Sequence, residues 1–517
     1  MTTKDFLQDD LPRGVKGLAK RYQAAPHAQW ADTASVVASQ TLGYDPDNPG
    51  DKILVGAVGD RLIGIADDRH LMTVAGSRGG KSVAIIGNLL CYRGPVMCTD
   101  PKAELASITA AQRARLGQKV CILDPFERCA PDVAKYRTSY NPLSVLDPDS
   151  DTIIEDAGLI ADALVIASPD QKEPHWDESA RNFIEGLILH IVTASEFAGA
   201  RNLITVRTLI RDALIAEPRA ALDPDLEGFC KIEYAMLSNA ERLKEHDEFN
   251  PVALAIEGAA RDFYDKGDSE RSSVLSTVRR HTKFLDYKAM HRVLSGHDFS
   301  LDELKTHEHG LSIYLCLPAG RLTSCARWLR MFIYQMLDSV ERTPSRPAAP
   351  PALMILDEFA SLGRMRALED AIAQVAGFGL KLWVIVQDWG QGKALYKERW
   401  ESFTANAGIF QAFGVNDVAT SEYIARRLGK APVEVATQSD VATKQLSEGV
   451  SGRQASVQMF DLLSPDEITR YFARSDAHKR QLVIWSGYHP MILQRVEYYD
   501  PQSPAVWAFA GKFSPRK

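Results

Sequence analysis

The stretch AGSRGGKS, residues 75–82, constrains this chain more than any other, because it lies between an apolar run, HLMTV, and a helix-patterned one, VAIIGNLLCY. A phosphate-binding loop has Gly, four residues of any type, then Gly-Lys-Ser/Thr, between a buried strand and a helix. Gly80, Lys81 and Ser82 match its end, while Ala75 stands where the first Gly belongs. Ala is the smallest step from Gly, and Gly76, Gly79 and Gly80 keep the backbone permissive. In such a loop the backbone of Ala75, Gly76, Ser77, Arg78, Gly79, Gly80, Lys81 and Ser82 wraps the phosphates of ATP. Lys81 would reach the β- and γ-phosphates and the Ser82 hydroxyl would bind Mg²⁺. A glycine-rich turn with an incidental Lys is the bland reading; the strand before and the helix after favour the loop.

Hydrolysis needs an acidic pair ending a second strand, and PALMILDEFASLG delivers Asp357 and Glu358 there. Ligands of open α/β sheets lie at the C-terminal ends of the strands. Asp357 would hold Mg²⁺ through water and Glu358 would act as general base on the attacking water. Gln387 ends KLWVIVQ, and on a neighbouring strand its amide could contact the γ-phosphate as a sensor. In TDPKAE, Asp100, Lys102 and Glu104 read equally well as a helix N-cap with first-turn charges or as part of the site.

Around the loop, short apolar runs at 70–76, 95–100 and 119–125 fit strands buried on both faces, with a helix-patterned segment between the last two. That alternation is the rhythm of a parallel α/β sheet. Residues 52–68 alternate like a hairpin. From 151 onward almost every segment carries the helical period, until LSIYLCLP at 311–318 resumes the strand pattern. Further strands are expected at 352–358, 381–387, 408–414, 481–487 and 491–500. The expected fold is α/β: a P-loop nucleotide-binding domain with a mostly parallel sheet, interrupted by an inserted all-α domain. Its parts are a loosely structured polar arm at 1–50, the first part of the nucleotide-binding domain at 51–150, the all-α insertion at 151–304 and the second part at 305–517.

At 517 residues, with 45% hydrophobic and 25% charged residues, the chain is a globular protein of two or more domains. Its net charge of −7 means that a nucleic-acid partner would need local basic patches. One candidate is 271–292, where Arg279, Arg280, His281 and Lys283 accompany Phe284 and Tyr287; a solvated helix face beside core aromatics is the favoured reading. The seven cysteines include no Cys-x-x-Cys pair and read as reduced, buried thiols of a cytoplasmic protein. The twelve histidines show no paired ligand spacing, and Trp176 and Trp389 read as packing residues. No uninterrupted apolar stretch approaches the ~18–20 residues of a membrane-spanning helix.

Taken in order, these blocks resemble the type IV coupling proteins, the TraG/TraD-like ATPases of conjugation and type IV secretion, over almost all of 52–500. AGSRGGKSVAIIGNLL looks like the family's P-loop and following helix, in which Ala at the first position is common. TDPKAELASITAAQRARLGQKVCILDPF resembles the next block, where the family has Lys-Gly-Glu and this chain has Lys102-Ala103-Glu104. SYNPL, HWDESARNFIEGLIL, LMILDEFASLGRM, GFGLKLWVIVQDWGQGKALY, NAGIFQAFGVNDVATSEYIARRLG, DLLSPDEI and EYYD complete the series.

The resemblance implies a RecA-like domain carrying an all-α insertion, assembled as a hexameric homo-oligomer at the cytoplasmic mouth of a secretion channel. It implies selection of relaxase-bound single-stranded DNA or effector proteins, coupled to ATP hydrolysis. By position, Lys81 and Ser82 would bind nucleotide and Mg²⁺, Asp357 and Glu358 would form the hydrolytic pair, and Gln387 would be the sensor. Two departures stand out. The family begins with two membrane-spanning helices and this numbering does not: either the chain is shortened, or it is a soluble variant whose recruitment to the inner membrane rests on a membrane-anchoring partner or channel component. Some relatives carry a trans-acting arginine just before the sensor strand, where this chain reads VAGFGLK; Arg364, Arg366 and Arg271 are the substitutes considered. The alternatives are a cytosolic DNA translocase or helicase on the same fold, and a recruitment adaptor that binds ATP without hydrolysing it.

Overall fold

The structure, a computed structural model, describes residues 27–166, 175–221, 226–346, 349–438 and 453–500. Thirteen strands form among them: β1 (Ile53–Val58), β2 (Arg61–Ile65), β3 (His70–Ala75), β4 (Val96–Thr99), β5 (Lys119–Leu123), β6 (Leu311–Leu315), β7 (Ala352–Leu356), β8 (Leu380–Val386), β9 (Ala407–Phe413), β10 (Lys430–Gln438), β11 (Arg453–Asp461), β12 (Arg480–Trp485) and β13 (Met491–Gln494). The chain divides into two compact units. One is Met1–Arg93, Glu358–Ala360 and Lys381–Lys517; the other is Gly94–Asp357 and Ser361–Leu380.

In the first unit the strand order is β2-β1-β13-β12-β9-β3-β8. The P-loop strand β3 lies parallel between β8 and β9, and all six of its residues are buried. A buried polar line runs across the three strands. Trp383 Nε1 donates to Thr73 Oγ1 at 2.8 Å, and Thr73 Oγ1 donates to Gln411 Oε1 at 3.0 Å. Buried polar groups are costly unless paired, so this line favours one register for the strand that feeds the loop. Beyond β9 the pairings through β12, β13, β1 and β2 are antiparallel.

Two features of this unit depart from the sequence reading. Residues 27–50 are more ordered than a loose arm. They include a helix at Thr33–Ala38, pair Gly43 with Ile63 beside β2, and bury Trp30, Leu42 and Tyr44; residues 1–26 lie outside the described residues. The antiparallel hairpin β10–β11 was not foreseen. Pro432 falls within β10, and an internal proline argues against a strand.

In the second unit the strands run β7-β4-β6-β5, all parallel. Between β5 and β6 the described residues form helices and no strand, from Ile153–Leu164 to Glu303–Thr306. The helix His175–Thr193 is central. Phe183 stacks on Phe263 with ring centroids 4.0 Å apart, and a side chain at Gly186 would collide with Ala259 of the helix Pro251–Tyr264. Tyr140 is one link between strands and helices in this unit: its N–H donates to the Val293 carbonyl, and its buried ring packs against Phe299 and Phe332.

Candidate functional site

β3 ends at the fully buried Ala75, and the helix Lys81–Cys91 begins six residues later. The loop between them is shaped by close approach. A Cβ on Gly76 would strike the Gly414 carbonyl, and one on Gly79 would lie 2.8 Å from the Gly76 carbonyl, which already accepts the Gly79 N–H. Gly80 caps the helix at φ 103°, a left-handed conformation that favours glycine, and no side chain caps it. Arg78 also has a positive φ, 57°. Among the described residues, the N–H groups of Gly80, Lys81 and Ser82 donate to no protein acceptor. A helix N-terminus with its first N–H groups open is an anion cradle. Ser77 and Arg78 are exposed on the loop, and Ser82 is half-buried on the first turn.

Lys81 Nζ lies 2.9 Å from Glu358 Oε1, and the other carboxylate oxygen, Oε2, accepts from Gln387 Nε2 at 2.8 Å. Three sequence-predicted residues thus meet, with the Lys81 side chain only 10% exposed. Glu358 sits at φ 56°, where a side chain is strained. Its neighbour Phe359 holds it there, fully buried among Tyr396, Trp400 and Phe403. Gln387 is fixed in turn, its N–H donating to Gln391 Oε1 at 3.1 Å. Trp389 is a packing residue, buried and stacked on Tyr423 at 3.5 Å.

Asp357 belongs to the second unit, where it follows β7 and is 8% exposed. Its carbonyl accepts from Thr99 Oγ1 at 2.9 Å. The oxygens of Asp100, which follows β4, accept from the N–H groups of Glu104 and Ala106 in the first turn of the helix Glu104–Arg115, at 3.0 and 2.9 Å. Burial raises its pKa to about 7, with a further rise from the charge of Asp357 and an opposing pull from those N–H donors. Lys102 is exposed and Glu104 half-buried.

The arginines considered as a trans-acting group are all in the second unit. Arg364 pairs with the buried Glu369 at 3.1 Å, Arg366 is exposed, and Arg271 pairs with Asp268 and donates to the Tyr264 carbonyl. In 271–292 the aromatic Phe284 is 2% exposed and His281 is buried, while Arg279, Arg280 and Lys283 face outward; this is a solvated face over a core. Trp176 is half-buried beside the ring of His175, and six of the seven free cysteines are buried. Among the described residues no helix is long and apolar enough to cross a membrane. Arg495, whose guanidinium donates to the Gly79 carbonyl, was missed. Nothing local in LQRVE marks it.

Solved structures of the bacterial conjugative coupling protein TrwB, lacking 70 N-terminal residues, share the fold. The unbound monoclinic form aligns at a TM-score of 0.61 and 14% identity, covering 95% of this chain and 97% of that one. A TrwB structure in complex with ADP and Mg²⁺ aligns at 0.59 and 15%, covering 94% and 98%. In sequence, the conjugal transfer protein TraG of Escherichia coli is 29% identical over 417 residues, 78% of this chain and 61% of TraG. The coupling protein VirD4 of Bartonella quintana (strain Toulouse) is 24% identical over 462 residues, 86% of this chain and 65% of VirD4. The chain thus spans somewhat under two thirds of the length of these relatives. The model of the family described as type IV secretory system conjugative DNA transfer matches residues 20–512, and the chain belongs to that family.

Proposed function

We propose that this protein is the ATP-hydrolysing coupling protein of a conjugative or type IV secretion system. It would recruit relaxase-bound single-stranded DNA or effector protein and drive its transfer at the cytoplasmic face of the inner membrane, as a homo-oligomer. The observation that carries the reading is the Lys81–Glu358–Gln387 constellation beside an open helix N-terminus. The TrwB complex with ADP and Mg²⁺ and the TraG and VirD4 relatives support it.

Each residue has a physical task. The open N–H groups of Gly80, Lys81 and Ser82 take phosphate oxygens at the positive end of the helix dipole. Lys81 has three donor hydrogens and gives one to Glu358, so it can bridge the phosphates to the carboxylate. Glu358 is the base for the attacking water, and Gln387 holds its second oxygen in place. Ser82 and Asp357 would hold the Mg²⁺, which neutralises charge developing on the phosphates.

The test is phosphate release by the full chain, with and without single-stranded DNA, for the parent, Lys81→Ala and Glu358→Gln. Turnover in the parent that both substitutions abolish is the expected result. Full turnover in Glu358→Gln would remove Glu358 as the base. A parent that binds cargo but releases no phosphate would favour a recruitment adaptor.

A further inference from the structure

Arg495 lies just past β13, far along the chain from the loop, yet its Nη1 donates to the carbonyl of Gly79. A Cβ on Gly80 would lie 3.0 Å from the same nitrogen. Both the backbone and the guanidinium of Arg495 are held. The Arg495 backbone N–H donates to the Lys479 carbonyl at 2.9 Å, Nε donates to that oxygen at 3.3 Å, and Cζ sits 5.3 Å from the ring centroid of Phe413. Phe413 is paired with Ala75, the residue that opens the loop. Among the described residues no carboxylate forms an ion pair with Arg495. Burial disfavours its charged form, the charges of Glu497 and Asp476 support it, and its hydrogen bond goes to a backbone oxygen of the phosphate loop.

Peptide geometry gives that contact a consequence. The Gly79–Gly80 peptide is planar and trans, so its C=O and N–H point to opposite sides. Gly80 is free to rotate, and its φ of 103° lies where glycine alone moves without steric cost. The Gly79 N–H is already committed to Gly76. We propose that Arg495 is a positioning residue for phosphate binding: by holding the Gly79 oxygen it fixes the Gly80 N–H on the phosphate side of the loop. The inference rests on the nucleotide-binding reading of that loop and adds to it a residue that follows β13, a strand separated from β3 by β12 and β9. A charge-assisted hydrogen bond here replaces the conformational search that a glycine pair would otherwise undergo on binding.

The experiment uses the full chain with Arg495→Met and Arg495→Lys, titrated calorimetrically with MgADP and with magnesium pyrophosphate. Loss of a charged hydrogen bond predicts that Arg495→Met weakens both ligands about tenfold, whereas Arg495→Lys, which keeps a donor, stays within about threefold of the parent. In steady state the loss falls on KM rather than on kcat. Pyrophosphate separates loop positioning from any contact with the nucleoside. Three results would overturn the role: Arg495→Met binding as tightly as the parent, Arg495→Met losing MgADP while keeping pyrophosphate, or Arg495→Lys as weak as Arg495→Met. If Arg495→Met does not fold, Arg495→Gln replaces it, and affinity should fall in the order Arg, Lys, Gln; a flat series refutes the inference. A parent that binds neither ligand defeats the nucleotide reading itself, whereas a parent that binds and a Met variant that matches it defeat the Arg495 role alone.

Discussion

Lys81 Nζ and Glu358 Oε1 lie 2.9 Å apart although 277 positions separate them in the chain. The pair joins the residue that would grip the phosphates to the one that would activate water. Gln387 completes the arrangement from β8's end.

Separate tasks predict separate kinetic defects. Glu358→Gln should lower kcat by about a hundredfold or more while leaving MgATP affinity within a few-fold, since a positioned general base contributes about 10²–10⁴. Lys81→Ala should weaken MgATP binding as well. Phosphate release and nucleotide titration on the same samples check this. Equal losses of affinity in both variants would show that the two residues are not divided in this way.

Glu358 depends on its neighbour. Phe359 is fully buried among Tyr396, Trp400 and Phe403, so Phe359→Ala should cost about 3–5 kcal/mol. It should also lower turnover at temperatures where the variant remains folded, because Glu358 loses the anchor for its φ of 56°. Phe359→Leu, closer in volume, should recover most of both. Thermal midpoints and low-temperature phosphate release decide; unimpaired turnover in a folded Phe359→Ala would refute the coupling.

Ala103 sits at φ 54°, in the left-handed region, between Asp100 and the helix Glu104–Arg115. That conformation costs a non-glycine residue roughly 1–2 kcal/mol. Ala103→Gly should therefore be neutral or stabilising despite the loss of a buried methyl. Ala106→Gly, inside the same helix, should cost about 1 kcal/mol or more. Urea midpoints compare the two; a larger loss at 103 than at 106 would contradict the strain argument.

Two buried histidines in the second unit set a pH dependence. Burial lowers both His190 and His281 from 6.5 to about 4. The ring nitrogens of His190 make no hydrogen bond among the described residues, and Glu196 lies 3.9 Å from Nε2. His281 is faced by Asp177, whose charge opposes the shift, and by Arg280 and Arg327, whose charges add to it. The unfolded chain takes up these protons first as pH falls below 6.5. The stabilisation is therefore complete above 6.5 and is lost progressively down to about 4, by up to tenfold in the folding equilibrium per pH unit for each histidine. Urea midpoints should drop between pH 7 and 5, and His190→Gln should flatten the slope. An unchanged midpoint across that range would exclude the effect.

Much of this was legible along the chain because it is local. A strand buried on both faces shows as an apolar run, as in HLMTV, and the loop shows as glycines before Lys81 and Ser82. The pair Asp357–Glu358 and the terminal Gln387 were readable because strand ends face the ligand edge of a parallel sheet. The hairpin β10–β11 was not, since Pro432 within β10 argues against a strand there.

What the sequence determined by itself is therefore the inventory: a glycine-rich loop ending in Lys81 and Ser82, an acidic strand end, a glutamine closing another strand and a helical stretch, each written within a few neighbouring residues. Tertiary structure alone decided which of them touch. Thr73 meets Gln411, Lys81 meets Glu358, and Arg495 reaches Gly79 across 416 positions, because strand order and register arise from side chains packing between distant segments. No periodicity within a segment records its partner, so the support of the loop became visible only when the sheet was assembled.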